Sequence, residues 1–416
     1  MNSKTLRTGL SLVLLAMTLA GCASYSGLNT EGVSLEAKNL KAGQSLSGVT
    51  LSPAAWPKSD WWKSLGDPQL DGLIREALHD SPDMQIADAR AHQASAAAYA
   101  ADAERMPTLD ASAGVSRSRL ARDQDPNGQG DAYSTVRNIS ANFNYNFDLW
   151  GGQRDAWEAA LGQARAAEVD QQAAQLTLAA DVARAYSDLG QAHIVHDLAS
   201  EDLKRTRQML DLSQRRLSSG IDSQYQFQQT ESLQASSEAS LIDAEKRLQS
   251  AKIALAVLLG KGPDRGNEIA RPKILQASAV ALPSVLPAEL LGRRPDLVAA
   301  RWRVEAASKN IDAGKTRFYP NLNLSAAAGA ESLLGDAMFG SASRFFNIAP
   351  TISVPIFDGG RLRADLDARD ADYDLAVAQY NKSLVKALGD VSDTINQLRD
   401  IGRQIGAQQH ATDIAQ

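Results

Sequence analysis

Two pairs of short segments alternate apolar and polar residues with a period of two, and each pair lies between stretches rich in helix formers. From 109 to 119, Leu109, Ala111, Ala113 and Val115 fall on one face, with Asp110, Ser112 and Ser116 on the other. From about 136 to 148 the contrast is sharper: Ile139, Ala141, Phe143, Tyr145 and Phe147 alternate with Ser140, Asn142, Asn144, Asn146 and Asp148. Successive side chains of a strand point to opposite faces, so both segments are expected to be strands with one apolar and one polar face. A second pair, expected over about 321–329 and 348–357, sets Leu322, Leu324, Ala326 and Ala328 against Asn321, Asn323 and Ser325, then adds Ile352, Val354 and Ile356. Loops rich in Gly, Asp, Asn and Ser are expected over 120–134 and 329–347.

A soluble sandwich strand also alternates, but these are about ten residues long, the length a tilted strand needs to cross a bilayer. Asn142, Asn144 and Asn146 in a row on one face would be costly in a dry core and suit a watery lumen. The four strands are therefore expected to line a membrane barrel. Four strands cannot close on themselves, and an open edge in lipid leaves unpaired backbone groups costing several kcal/mol each. Other copies of the chain must complete the sheet.

The flanking stretches read as helices. Leu70 to Arg105 is Ala-rich and ends before Pro107, with Pro82 near its start, where proline suits a first helical turn. Gly151 to Gly262 contains no proline, and Leu178, Val182, Ala185 and Leu189, continued by Val195 and Leu198, trace a narrow apolar seam. The run Leu217-Ser218-Ser219-Gly220-Ile221-Asp222-Ser223 breaks the pattern: Gly220 can end one helix, and Asp222 or Ser223 can cap the next. A helix from about 152 to 217 would be roughly 100 Å long, and a return over 223–259 makes it a hairpin.

The chain also repeats itself. Pro82-Asp83 corresponds to Pro295-Asp296, Arg90 to Arg303, Pro107 to Pro320, Phe147-Asp148 to Phe357-Asp358, Gly151-Gly152 to Gly359-Gly360 and Asp181-Val182 to Asp390-Val391. A nearly constant spacing of about 210 residues marks two structural repeats. The expected division is 1–21, 22–69, a first repeat over 70–281 with its helical hairpin at about 151–259, and a second over 282–416 with a helix from about 359. On the same spacing, Gln416 corresponds to Arg207, so counterparts of 208–259 are missing and the seam of 360–416 is expected to expose apolar surface.

Composition narrows the function. Net charge is −6 without a basic block, so nucleic acid is not an expected partner. Lys4 and Arg7 precede a short apolar run from Leu10 to Ala20, the pattern of a secretory signal. Leu19-Ala20-Gly21-Cys22 resembles the lipobox of bacterial lipoproteins, which implies cleavage before Cys22 and acylation of its thiol; Ala23 after it implies sorting to the outer membrane. Cys22 is the only cysteine, so neither an internal disulfide nor a thiolate metal cluster is expected. The five histidines are scattered; His193 and His196 lie three apart, read as a solvated helix face without zincin spacing. With no phosphate loop and no nucleophile elbow, neither an enzyme, a cofactor nor a metal site is expected.

The order helix, strand pair, helical hairpin, repeated, resembles the outer-membrane factors of the TolC and OprM class, in the NodT-type lipoprotein branch. The resemblance is carried by Trp61-Trp62-Lys63-Ser64-Leu65-Gly66-Asp67-Pro68-Gln69-Leu70, by Phe147-Asp148-Leu149-Trp150-Gly151-Gly152 and by Arg216-Leu217-Ser218-Ser219-Gly220. Leu282-Pro283-Ser284-Val285-Leu286-Pro287, Leu291-Gly292-Arg293-Arg294-Pro295-Asp296 and Phe357-Asp358-Gly359-Gly360 extend it through the second repeat. It implies an α+β membrane protein in which each chain gives four strands to a trimeric twelve-stranded barrel and long coiled-coil hairpins to a periplasmic tunnel. It further implies a homotrimer that docks to a periplasmic adaptor (a membrane fusion protein) and an inner-membrane pump of RND or MFS type. The wording over 143–190 looks most like lipoproteins of drug or fusaric-type aromatic-acid efflux. Hairpin-tip residues Arg216, Leu217, Gly220, Ile221, Asp222 and Ser223 are candidates for adaptor contact, and no gate residue is carried over. A duct for protein secretion driven by an ABC transporter, or a structural envelope lipoprotein, are the competing readings.

Overall fold

The computed structural model describes residues 24–36, 51–52, 60–119, 133–273, 282–283, 294–333 and 338–415. The signal segment, Cys22, most of the 120–134 loop and much of the Leu282–Arg293 motif lie outside the described residues. Along the chain, α1 (Pro68–Asp80) and α2 (Pro82–Ala103) precede β1 (Thr108–Arg119) and β2 (Tyr133–Phe147), then α3 (Gly152–Ser218) and α4 (Gln224–Leu258). After α5 (Pro295–Thr316) come β3 (Asn321–Ser332), β4 (Arg344–Ser353) and α6 (Arg361–Ala415). Two compact units result, each drawn from both halves of the sequence. One comprises the described residues of Met1–Leu40, His92–Ala167 and Leu297–Asp390; the other those of Lys41–Ala91, Glu168–Asp296 and Val391–Gln416.

Three boundaries differ from the sequence pattern. The expected helix from Leu70 to Arg105 is two helices, because the residue before a proline is pushed out of the helical region; Ser81 is extended and caps α1. The expected loop over 329–347 is shorter, since β3 runs to Ser332 and β4 begins at Arg344. Val354 and Ile356 lie beyond β4, which stops ahead of Pro355.

The first unit holds an antiparallel meander in the order β1-β2-β3-β4, in which β2 and β3 join strands from different halves. Among the described residues, β1 and β4 each keep one unpaired edge. A small cluster of Ile311, Phe318, Leu362 and Leu366 packs in this unit, with Tyr25, Leu28 and Tyr373 around it. Lys309 ties α5 to α3 through Asp155 (3.2 Å) and Glu158 (2.7 Å).

The second unit is built on apolar burial. Leu70, Leu73, Ile74 and Ala77 of α1 pack with Leu178, Val182, Tyr186 and Leu189 of α3 and with Leu248, Leu255 and Leu259. Each fully buried aliphatic side chain stabilises by about 1.5–3 kcal/mol. The Trp61-Trp62 to Leu70 motif locks this core: Asp67 caps α1 by accepting from the Gln69 and Leu70 amides, and its other oxygen accepts from the buried Tyr186 hydroxyl at 2.8 Å. Burial first, then the Asp67 carboxylate, pushes the Tyr186 phenol up to about 12. Since the folded value is raised, this contribution to stability is complete below about pH 10 and is lost as pH rises towards 12. Alkaline titration followed by circular dichroism should show that loss in the wild type. Tyr186→Phe should be less stable near neutrality and show a flatter alkaline fall; an identical fall in both proteins would rule out Tyr186 as its source.

Beyond Leu189 the seam changes character. Shielded positions on α3 run Leu189, Ala192, His196, Ala199, Leu203, Thr206, Leu210, Ser213 and Leu217, and on α4 Phe227, Thr230, Gln234, Ser237, Leu241, Ala244, Leu248, Ala251 and Leu255. Spacings of three and four alternate throughout, the heptad signature of a coiled coil. Ser237 donates across to Asp202 at 2.7 Å and Arg207 pairs with Glu238 at 3.9 Å, bridging two helices that the short turn over 219–223 makes antiparallel. Val195 and Leu198, expected in the seam, are instead exposed: the spacing of 178, 182, 185 and 189 continues through 192, 196 and 199, which leaves 195 and 198 one position off the inner face.

Candidate functional site

Cross-strand register decides what the sheet can do. Residues directly opposite in an antiparallel pair share a face. One rung aligns Leu109, Phe143, Ala326 and Ile348; the next aligns Ala111, Ala141, Ala328 and Phe346; another aligns Phe147, Leu322 and Ile352. The intervening rungs align Asp110, Asn142, Ala327 and Asn347, then Asn146, Asn323 and Thr351. Apolar residues of all four strands therefore gather on one side. Among the described residues nothing covers that side: Phe346 is 84% exposed, Leu109 73% and Ile352 71%.

The opposite side is a polar ladder. Ser112 and Ser140 hydroxyls lie 3.0 Å apart, Asn142 donates to both at 3.3 Å, and Asn323 donates to the Asn144 carbonyl at 2.8 Å. Such amides and hydroxyls satisfy one another yet keep capacity for water, as a wet lumen wall requires. A sheet apolar on one face, polar on the other and open at both edges is one segment of a membrane barrel.

Where strand gives way to helix, the two repeats use the same device. Asp148 accepts from the amides of Gln153 (3.1 Å) and Arg154 (2.9 Å), and Asp358 from Gly360 (3.0 Å) and Leu362 (2.8 Å). A carboxylate at a helix N-terminus satisfies orphan N–H groups and meets the positive end of the helix dipole. The repeated Phe-Asp and Gly-Gly pairs marked these corners in the sequence; the capping role of the aspartates had no signal there.

At the tip of the α3–α4 hairpin, the Gly220 and Ile221 amides donate to the carbonyls of Leu217 and Arg216, closing α3 in a Schellman turn with Gly220 at φ +74. Ser223 caps α4 in a reciprocal box with Gln226. Arg216 pairs with Asp222 at 2.9 Å, and the fold brings all six sequence candidates into this one turn. In this turn type the residue after glycine commonly packs on the one five before it. Here that partner is Arg216, and Ile221 is left 65% exposed.

His193 departs from the sequence reading of a solvated face. It is half-buried, its Nε2 is enclosed without a hydrogen-bond partner among the described residues, and burial followed by Arg271 and Lys252 pushes its pKa down. Beside it, Arg271 forms a half-exposed ion pair with Asp197.

The class defined by these features is that of an outer-membrane channel subunit with coiled-coil hairpins. The sequence matches the outer membrane efflux protein family over residues 73–261 and 286–416, and the chain belongs to that family. It is 36% identical over 381 residues to the fusaric acid resistance protein FusA of Burkholderia cepacia, covering 89% of this chain and 71% of that protein. To the pyoverdine export outer membrane protein OpmQ of Pseudomonas aeruginosa it is 31% identical over 414 residues, covering 98% and 85%. The outer membrane protein VceC of Vibrio cholerae superposes with a TM-score of 0.78 at 34% identity over 85% of each chain. The structural neighbours are trimeric outer-membrane channels with long helices and few strands, the fold class expected from the sequence. The protein is an outer-membrane efflux channel.

Proposed function

We propose that three copies of this chain close a twelve-stranded barrel and conduct drugs or small toxic organic compounds passively, as the exit duct of a tripartite pump. The observation that carries this is the sheet: apolar and uncovered on one side, polar on the other, with two unpaired edges among the described residues, which in lipid would need sister chains to satisfy them. The duct needs no catalytic group, because an inner-membrane RND or MFS-type pump supplies the energy. A periplasmic adaptor takes the hairpin tips, with Ile221 as the apolar contact and Arg216, Leu217, Gly220, Asp222 and Ser223 shaping the turn. Cys22 carries the lipid anchor. The likeness to FusA, named for fusaric acid resistance, and to OpmQ, named for pyoverdine export, supports small organic compounds, aromatic acids of the fusaric type among them, as cargo.

The test has two arms. Purified protein in planar bilayers should give discrete conductance steps. In a strain lacking its own outer-membrane channel but holding a matched adaptor and pump, it should restore resistance to small aromatic acids. Absence of conductance would sink the duct reading; conductance with secretion of a protein substrate, and no resistance, would favour the ABC-driven alternative.

A further inference from the structure

The sheet sorts its charges as well as its apolar residues. Along β1 to β4 the basic residues are Arg117, Arg119, Arg137 and Arg344, and the acids are Asp110 and Glu331. Register puts all four arginines on the apolar side. Arg344 shares a rung with Ala113, Ile139 and Ala330, Arg137 with Val115 and Ser332, Arg117 with Thr135, and Arg119 with Tyr133. Asp110 lies opposite Asn142 and Glu331 opposite Asn138, so both acids stand on the polar side.

The arginines also gather at one end. On the apolar side the rungs from Phe147 to Ala141 carry no charge, roughly 20 Å of strand. Arg344 enters on the next rung, and Arg137, Arg117 and Arg119 follow outward. At the uncharged end β2 leads into α3, and α5 leads into β3. In an outer-membrane channel with a periplasmic helical tunnel, the arginines therefore lie towards the cell exterior.

A charged side chain facing lipid is costly near the midplane and cheap at the boundary, where a long stem lets the charge reach water. Contact with water would serve equally at both boundaries, yet among the described strand residues the inner boundary has no arginine. There Tyr145 and Phe147 stand on the apolar side instead. The asymmetry points to a ligand on the outer side. Arginine at every one of the four positions narrows its chemistry: a guanidinium is planar, always charged, and matches phosphate oxygens with paired N–H donors. The Arg117 guanidinium lies over the Tyr133 ring, 4.9 Å from its centre. Such stacking uses the flat face and leaves the N–H edge for an anion. On the same side Val115, Ile139 and Phe346 are exposed beside and below the arginines, a surface suited to acyl chains.

We infer that this outer rim is a binding site for a phosphate-bearing lipid of the outer leaflet, with Arg117, Arg137 and Arg344 on the headgroup and Val115, Ile139 and Phe346 on the chains. The inference rests on the barrel reading, which places the apolar face in lipid. Strand spacing of about 4.8 Å and a rise of about 3.4 Å per residue set the backbones of Arg117 and Arg137 about 8 Å apart, and those of Arg137 and Arg344 about 12 Å. Two long side chains can close on one phosphate across the shorter gap while Arg344 takes another, which suits a headgroup bearing two.

The experiment uses the full chain as assembled trimer in neutral detergent, with three probes: diphosphorylated lipid A, the same glycolipid stripped of its phosphates, and inorganic phosphate alone. Lipid that stays with the protein through gel filtration is measured by mass spectrometry. Wild type should retain the diphosphorylated form at least tenfold better than the stripped one. R117Q/R137Q/R344Q should lose that preference while remaining a heat-resistant trimer, since glutamine at these positions removes charge and little packing. R117K/R137K/R344K should fall between, because charge remains without the planar fork. If the triple glutamine variant does not assemble, R137Q and R344Q singly should each cut retention at least threefold. Equal retention of the two lipids by wild type, or an unchanged preference in the glutamine variants, overturns the site. Inorganic phosphate that displaces the lipid at equal concentration assigns a free anion and overturns the lipid ligand. A wild type that neither conducts nor needs detergent overturns the barrel reading, an outcome distinct from any result of the lipid comparison.

Discussion

Ala141→Lys is expected to abolish the heat-resistant oligomer, whereas Asn142→Lys, one residue along the same strand, should leave it intact and change the ion selectivity of the pore. Ala141 shares its rung with Ala111, Ala328 and Phe346, all on the apolar face; Asn142 shares its own with Asp110, Ala327 and Asn347. A lysine facing lipid near the bilayer midplane costs about 2–4 kcal/mol, and a trimer incurs that cost in every chain. No packing is lost on replacing alanine, so the effect isolates the charge. On the wet face the same charge stays hydrated and its penalty is small. Extraction of both variants, unheated gels and reversal potentials in asymmetric salt would read the contrast. Two equally stable trimers would mean that the apolar face does not meet lipid.

Ile221→Asp is expected to lower efflux-dependent resistance at least tenfold without changing trimer yield or conductance. The side chain is exposed at the tip, where its usual intraturn partner is replaced by Arg216, so the isolated channel gives up little by losing it. An adaptor that covers it would lose about 2 kcal/mol of apolar burial at each tip and would have to desolvate a carboxylate as well. Ile221→Leu, similar in volume, should keep most of the resistance. Gly220→Val makes a useful companion: a β-branched residue at φ +74 strains the turn and should disturb the tip through its backbone. Resistance unchanged in Ile221→Asp would remove the tip from the docking surface.

Much of the architecture was legible because it is written in local periods. Strand alternation needs only the residue two positions away, so the two faces of β1, β2 and β3 could be read directly from 109–119, 136–148 and 321–329. The hairpin turn was legible for a similar reason: Gly220 and Ser223 are local stop and start signals. The start of β4 was not, because Phe345 and Phe346 are adjacent and point to opposite faces, which blurs the alternation. Nor was the far part of the coiled coil, whose inner positions include His196, Thr206, Gln234 and Ser237, residues that hydrophobic periodicity discards.

The sequence by itself determined the two-faced strands, the long helices, the repeat and the tip turn, since each follows from interactions within a few residues. Tertiary structure alone decided that β2 pairs with β3 across the halves, that Tyr186 closes on Asp67, and that Arg363, Asp374 and Asn381 hold the segment 24–36. Those contacts join residues from 119 to more than 300 positions apart. Nothing in a local period records them, because hydrogen bonds and burial depend on distance in space, and only the folded chain sets that distance.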